Sequence, residues 1–165
     1  MEAFKKFDLE KKIWTETDFK IMGWHDNPIY GLSLGGDHPF IKELMLDIDY
    51  IFEWIHPIVP EQTFSFWIAP ATLCFKDVSN VKINIENGPT IVFDLEIADI
   101  FRLEHTPTRN GSNYWEWRIE LQNGSISFIS SGYEQIIKGE PILTGSQCVP
   151  KAVRGEPNFK RIPFE

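Results

Sequence analysis

Residues 43–54 read ELMLDIDYIFEW, and their alternation constrains the chain more than any other stretch. Leu44, Leu46, Ile48, Tyr50, Phe52 and Trp54 share one parity, and Glu43, Met45, Asp47, Asp49, Ile51 and Glu53 share the other. Successive side chains of a strand point to opposite faces, whereas a helix would scatter the same residues around its circumference. The stretch predicts a long, half-buried strand with one apolar face toward a core and one mostly acidic face toward water.

The same period recurs along the chain. It predicts strands over 29–34, 63–68, 81–86, 90–97 and 114–121. Pro57 and Pro60 stop the 43–54 strand, because proline cannot donate to a ladder. Pro70 predicts a bulge or an edge position before Leu73 and Phe75. Asn87-Gly88-Pro89 reads as a turn that would set Ile85 opposite Ile91, Ile83 opposite Phe93 and Val81 opposite Leu95. Asn123-Gly124 is a strong hairpin signal, with Leu121 facing Ile126 and Ile119 facing Phe128. Residues 105–113 read as a polar loop. Helical turns are expected over 16–21, where Thr15 and Asp18 have capping-box spacing, and over 133–138. Strands joined by short turns indicate a mainly β fold, an antiparallel sandwich or barrel-like sheet with short helical segments. The alternative is an α+β sheet covered by a terminal helix. One domain spans 1–165, with an arm or helix over 1–13 and an extended tail over 141–165.

Composition bounds the partners. The net charge of −8 disfavours nucleic acid, whose phosphates need a basic surface, and leaves room for a basic protein partner. No run is apolar enough to span a membrane, and the amino terminus lacks the apolar core of a signal peptide. The two cysteines, Cys74 and Cys148, give little reason for a bridge. A cytoplasmic protein with free thiols and no cofactor is expected; oligomeric state is not readable.

Three groups of residues carry candidate chemistry. Trp24-His25-Asp26 sets an imidazole beside a carboxylate, as metal binding or proton transfer would need. The bland reading is preferred: Trp24 packs inward, Asp26 caps a turn and His25 bonds locally. Asp47 and Asp49 lie two apart on one strand face with Glu53 beyond, a set that would suit a hard cation, but no calcium-loop pattern follows. A solvated face is the simpler reading. Trp54, Phe64, Phe66, Trp67, Trp115 and Trp117 would line a ligand pocket in a barrel, yet phase assigns most of them to a core. Trp67 is out of phase, which leaves it exposed or on a second buried face. No phosphate loop, nucleophile elbow or zinc motif is present, so no catalytic residue is assigned.

Trp24-His25-Asp26 leading into Ile29, the run from Leu46 to Ile51, and the run from Trp67 to Phe75 with Val78 resemble a group of small bacterial proteins of unknown function. Some of that group are of the immunity kind, which neutralise toxins of competing bacteria. The resemblance covers about 14–100 and implies no catalytic residue. The first expectation is a non-catalytic interaction module, with Asp47, Asp49 and Glu53 as the partner-binding face. The alternatives are a small-ligand-binding β-barrel and a metal-dependent hydrolase using His25, Asp26, Asp47 and Asp49.

Overall fold

The computed structural model describes residues 5–40, 42–86, 88, 95–107 and 113–165. Among them the strands are β1 (Ile13–Thr15), β2 (Asn27–Gly35), β3 (Glu43–Ile55), β4 (Ser65–Lys76), β5 (Ser79–Ile85), β6 (Glu96–Pro107), β7 (Asn113–Leu121), β8 (Gly124–Ser130), β9 (Gly132–Ile137) and β10 (Ile142–Thr144). A 3-10 helix spans Glu16–Ile21, and one turn of α-helix, α1, spans Lys151–Arg154. The strands form one antiparallel sheet in the order β1-β9-β4-β3-β2-β6-β7-β8-β5, with β10 beside β4, and the sheet does not close. No described helix is long and apolar enough to cross a membrane.

The sheet bends at β2, whose first residues pair with β6 while the rest pair with β3. That change of partner turns the two halves face to face. Phe75 on β4 meets Phe128 on β8 at 4.7 Å between ring centroids and Trp117 on β7 at 5.3 Å. Tyr133 on β9 closes the group at 5.7 Å from Trp117. Leu44, Leu46, Ile48 and Tyr50 of β3 point into this core, as their parity requires. Each such aliphatic or aromatic side chain contributes about 2–3 kcal/mol on full burial. The fold is therefore mainly β and antiparallel, and the described residues contain no long terminal helix.

Several local expectations change. Pro70 does not interrupt β4. Its carbonyl accepts from Lys138 N–H (2.8 Å), so its ring nitrogen faces the same side. On that side β10 pairing ends at Ile68 and β9 pairing starts at Ala71, so no ladder donor is needed there. Residues 132–137 form β9 instead of a helical turn, because Tyr133, Gln135 and Ile137 share the face of the Phe75, Leu73 and Ala71 residues they oppose on β4. β5 pairs with β8, where Ile83 opposes Ile126, and Ile97 of β6 opposes Asn27 and Leu121. Residues 91–94, on which part of that expectation fell, lie outside the described residues. β6 runs on to Pro107 where a polar loop was expected.

A bulge at Phe52 changes the parity of β3. Ile51 opposes Ile68, but the next pair is Glu53 with Trp67, and Trp54 then opposes Phe66. Trp54 thus leaves the main core and joins Ile51, Phe66, Ile68 and Val149 in a second cluster on the outer face. Trp67 goes the other way and is buried against Phe7 at 5.5 Å, the second buried face that its phase allowed.

The β7–β8 hairpin forms with its loop one residue early. Leu121 opposes Gly124 and Ile119 opposes Ile126, so Gln122 and Asn123 make the turn. Ile119 and Phe128 still share the core face. Gly124 takes φ 154° and lies against β5, where a Cβ would overlap the Asn84 carbonyl. Gly124→Ala should lower stability by about 2 kcal/mol or more, read as the urea midpoint at unchanged slope.

Candidate functional site

The parity of β3 does carry Asp47 and Asp49 to the face opposite the core, but that face is not in water. Both residues are fully buried. The expectation of an exposed acidic surface fails for them; Glu53 is exposed, but the bulge at Phe52 moves it to the other face, opposite Trp67. The reason is the C-terminal segment. After β10 it runs back over β3, β4 and β9 as a strap and supplies the cations that the carboxylates need.

All four carboxylate oxygens are engaged. Asp47 Oδ1 accepts from Lys138 Nζ (2.7 Å) and Arg154 Nη2 (2.9 Å). Asp47 Oδ2 accepts from Arg154 Nη1 (3.1 Å) and the Asn158 backbone N–H (2.9 Å). Asp49 Oδ1 accepts from Arg154 Nε (3.0 Å), and its Oδ2 accepts from Tyr30 O–H (2.7 Å) and Val149 N–H (2.8 Å). The Arg154 fork thus grips Asp47 with two nitrogens and Asp49 with the third, its side chain 2% exposed. Its guanidinium also lies 3.8 Å from the Tyr30 ring centroid. Lys138 Nζ completes its donors on the Asn158 backbone carbonyl (2.8 Å) and side-chain oxygen (3.2 Å).

Electrostatics follow from that packing. Burial alone would raise the Asp47 carboxyl, but Arg154 and Lys138 outweigh it and hold its pKa below the ordinary value. Burial pulls the Lys138 ammonium down, and Asp47 only partly offsets this. Arg154 meets Asp47 through two nitrogens, and Lys138 meets it through one. Burial and the neighbouring Asp49 carboxylate raise the Tyr30 phenol well above its usual range. Further along the strap, Arg161 reaches Glu43 and the Cys74 sulfur, and Thr72 Oγ1 donates to the Lys160 carbonyl (2.6 Å). Cys74 and Cys148 are both free, and burial pushes the Cys74 thiol up to about 11. Among the described residues no three His, Cys, Asp or Glu side chains are placed to hold a metal ion.

The Trp24-His25-Asp26 stretch divides in two. Trp24 is buried in the core, where its indole N–H donates to Gln135 Oε1 (2.8 Å). Asp26 sits at φ 60° in the turn and accepts from Gln122 (3.2 Å) and Gln147 (3.1 Å). His25 Nδ1 lies 3.1 Å from the Ala98 carbonyl, and Nε2 lies 3.6 Å from Asp26. The imidazole is 69% exposed and stacks on Trp54 at 5.9 Å. Trp54 in turn touches Phe66 (4.9 Å) and Phe64 (5.9 Å), and His56 packs on Phe64 (4.9 Å). The β3–β4 connection, which runs between His56 and Phe64, carries Ile58 79% and Val59 90% exposed. The structure therefore joins His25 to the aromatic end of β3, and leaves Asp47 and Asp49 in the separate, ion-paired site.

Comparison with known protein families, with curated proteins and with solved structures finds no match, so the sites are read from their own geometry. Sequence reasoning missed Tyr30, Lys138, Arg154 and Asn158. One signal was present: an acidic chain concentrates Lys151, Arg154, Lys160 and Arg161 near its end.

Two measurements check the ion-paired site. Asp47→Asn strips one charge from a buried network and should destabilise by about 3–5 kcal/mol in urea unfolding near neutral pH. The pH dependence has a fixed sign. The Asp47 pKa is depressed in the folded protein, so its contribution is complete above the ordinary carboxylate pKa of about 4 and is lost as pH falls through the lower native value. The stability gap between wild type and Asp47→Asn should therefore shrink as pH drops below about 4; a gap that stays constant would contradict it.

Proposed function

We propose that the protein is a non-catalytic protein-interaction module whose contact surface is the aromatic end of β3 with the β3–β4 connection. The observation that carries this is the exposure of Ile58 and Val59 in the connection bounded by His56 and Phe64, whose rings pack together and continue through Trp54 to His25. Adjoining exposed apolar and aromatic groups of this kind mark binding surfaces, and aromatic anchors dominate interface energetics. The net charge of −8, together with exposed Glu53 and Glu61, fits a basic partner. A bacterial immunity protein that blocks a basic toxin is the specific form of this reading. Asp47 and Asp49 support it indirectly, since all four of their oxygens accept from the chain's own donors.

The test is capture of the product of the neighbouring gene, with wild type compared against Ile58→Asp/Val59→Asp. Both residues are exposed, so the double variant should unfold within about 0.5 kcal/mol of wild type. Its affinity should fall by about 30-fold or more, the equivalent of one hot-spot residue. Equal affinity of the two proteins would remove this surface from the binding site.

A further inference from the structure

The strap is held in an unusual way. Among the described residues one backbone-to-backbone bond ties 145–165 to the sheet, from Phe164 N–H to Ile137 O (3.2 Å). Its other attachments use side chains on at least one partner: Arg154 on Asp47 and Asp49, Val149 N–H on Asp49, Asn158 N–H on Asp47, Thr72 on Lys160, and Arg161 on Glu43. Within 145–165 Val149 is the only buried apolar residue. A segment with few buried apolar contacts and polar anchors is drawn from the low-stability end of a fold.

The face beneath has a defined appetite. Without the strap, Asp47 and Asp49 would keep Lys138 and Tyr30, two negative charges against one positive. The missing group must be a cation, and the spacing selects which. Three guanidinium nitrogens reach two carboxylates at 2.9–3.1 Å, while the flat group stacks on Tyr30. A lysine ammonium offers one point charge and cannot span both carboxylates in this plane. The Val149 N–H on Asp49 and the Asn158 N–H on Asp47 add backbone donors from before and after the helical turn that ends at the arginine.

We propose that the outer face of β3, β4 and β9 is an arginine-selective groove for a protein segment that presents its arginine from a short helical turn, filled in cis by the strap and able to take an arginine-bearing segment from another protein molecule in its place. The cis occupant defines the chemistry: a valine, an arginine five residues on, and a backbone N–H four residues after that. This groove adjoins the aromatic end of β3 and shares Val149 with it, but the proposal stands whether or not that surface binds a partner.

The full-length chain with a protease-recognition sequence inserted between Gly145 and Ser146, both exposed, provides the test. After cleavage, a fluorescent peptide of residues 146–165 is added in excess and followed by anisotropy. The peptide should exchange into the cleaved protein, and more weakly into the uncleaved protein, where the tethered strap competes at high effective concentration. A peptide carrying Arg154→Lys should bind at least about tenfold more weakly. One carrying Lys151→Ala, an exposed position, should bind as the parent does. Absence of exchange, equal binding of the Arg154→Lys peptide, or equal binding to cleaved and uncleaved protein would overturn the proposal. So would loss of the strand circular-dichroism signal on cleavage, which would make the strap part of the core.

Discussion

Two carboxylates set into the middle of a sheet require cations within reach, and the C-terminal segment is arranged around that requirement. An unpaired buried carboxylate is strongly disfavoured, and its attraction to a partner offsets desolvation only when the geometry is good and the remaining lone pairs are bonded. Asp47 and Asp49 meet both conditions, with every oxygen engaged at 2.7–3.1 Å. Alternate residues on one strand face lie about 6–7 Å apart, a gap that one guanidinium can bridge. Arg154 is the group that does so, and its position fixes where the strap crosses β3. Directional bonds to two fixed acids specify one register, which an apolar contact of similar area would not.

That requirement explains why β3 and β4 are buried on both faces while their sequences read as half-buried. The inner face of each is aliphatic and aromatic and packs against β7, β8 and β9. The outer face changes character along the strands. Near Asp47 and Thr72 it is polar and meets the polar anchors of the strap. Beyond the bulge at Phe52 it is apolar, and meets Val149 and Ile142. One extra residue in β3 switches the parity, so Trp54 and Phe66 line the same outer surface as Asp49 instead of the core.

The parts of this fold written in local periodicity were legible. The 43–54 alternation, the short 3-10 turn at 16–21 and the shared face of Ile119 and Phe128 are each set by neighbours in sequence. What was not legible depended on contacts between distant residues. The acidic parity of β3 reads as solvated because alternation reports which face a residue takes, not what covers that face. Arg154 lies more than a hundred positions from Asp47 in a stretch with no period of its own. The Phe52 bulge left no glycine or proline to announce it. Pro70 was misread for a related reason: whether a missing N–H matters depends on the neighbour facing it, and here β10 gives way to β9 at that point.

The aromatic end of β3 and the strap share physical contacts, so they are not separate appendages. Val149 carries both: its side chain packs with Trp54 and Phe66, and its N–H donates to Asp49 Oδ2. Gln147, two residues earlier, donates to Asp26, whose neighbour His25 stacks on Trp54. A ligand that prefers the stacked arrangement of His25 and Trp54 therefore also prefers the docked strap. By linkage the docked strap favours that ligand by the same factor. Binding at one end of β3 and occupancy of the groove along it draw on one set of contacts, with Val149 as the residue through which each is felt by the other.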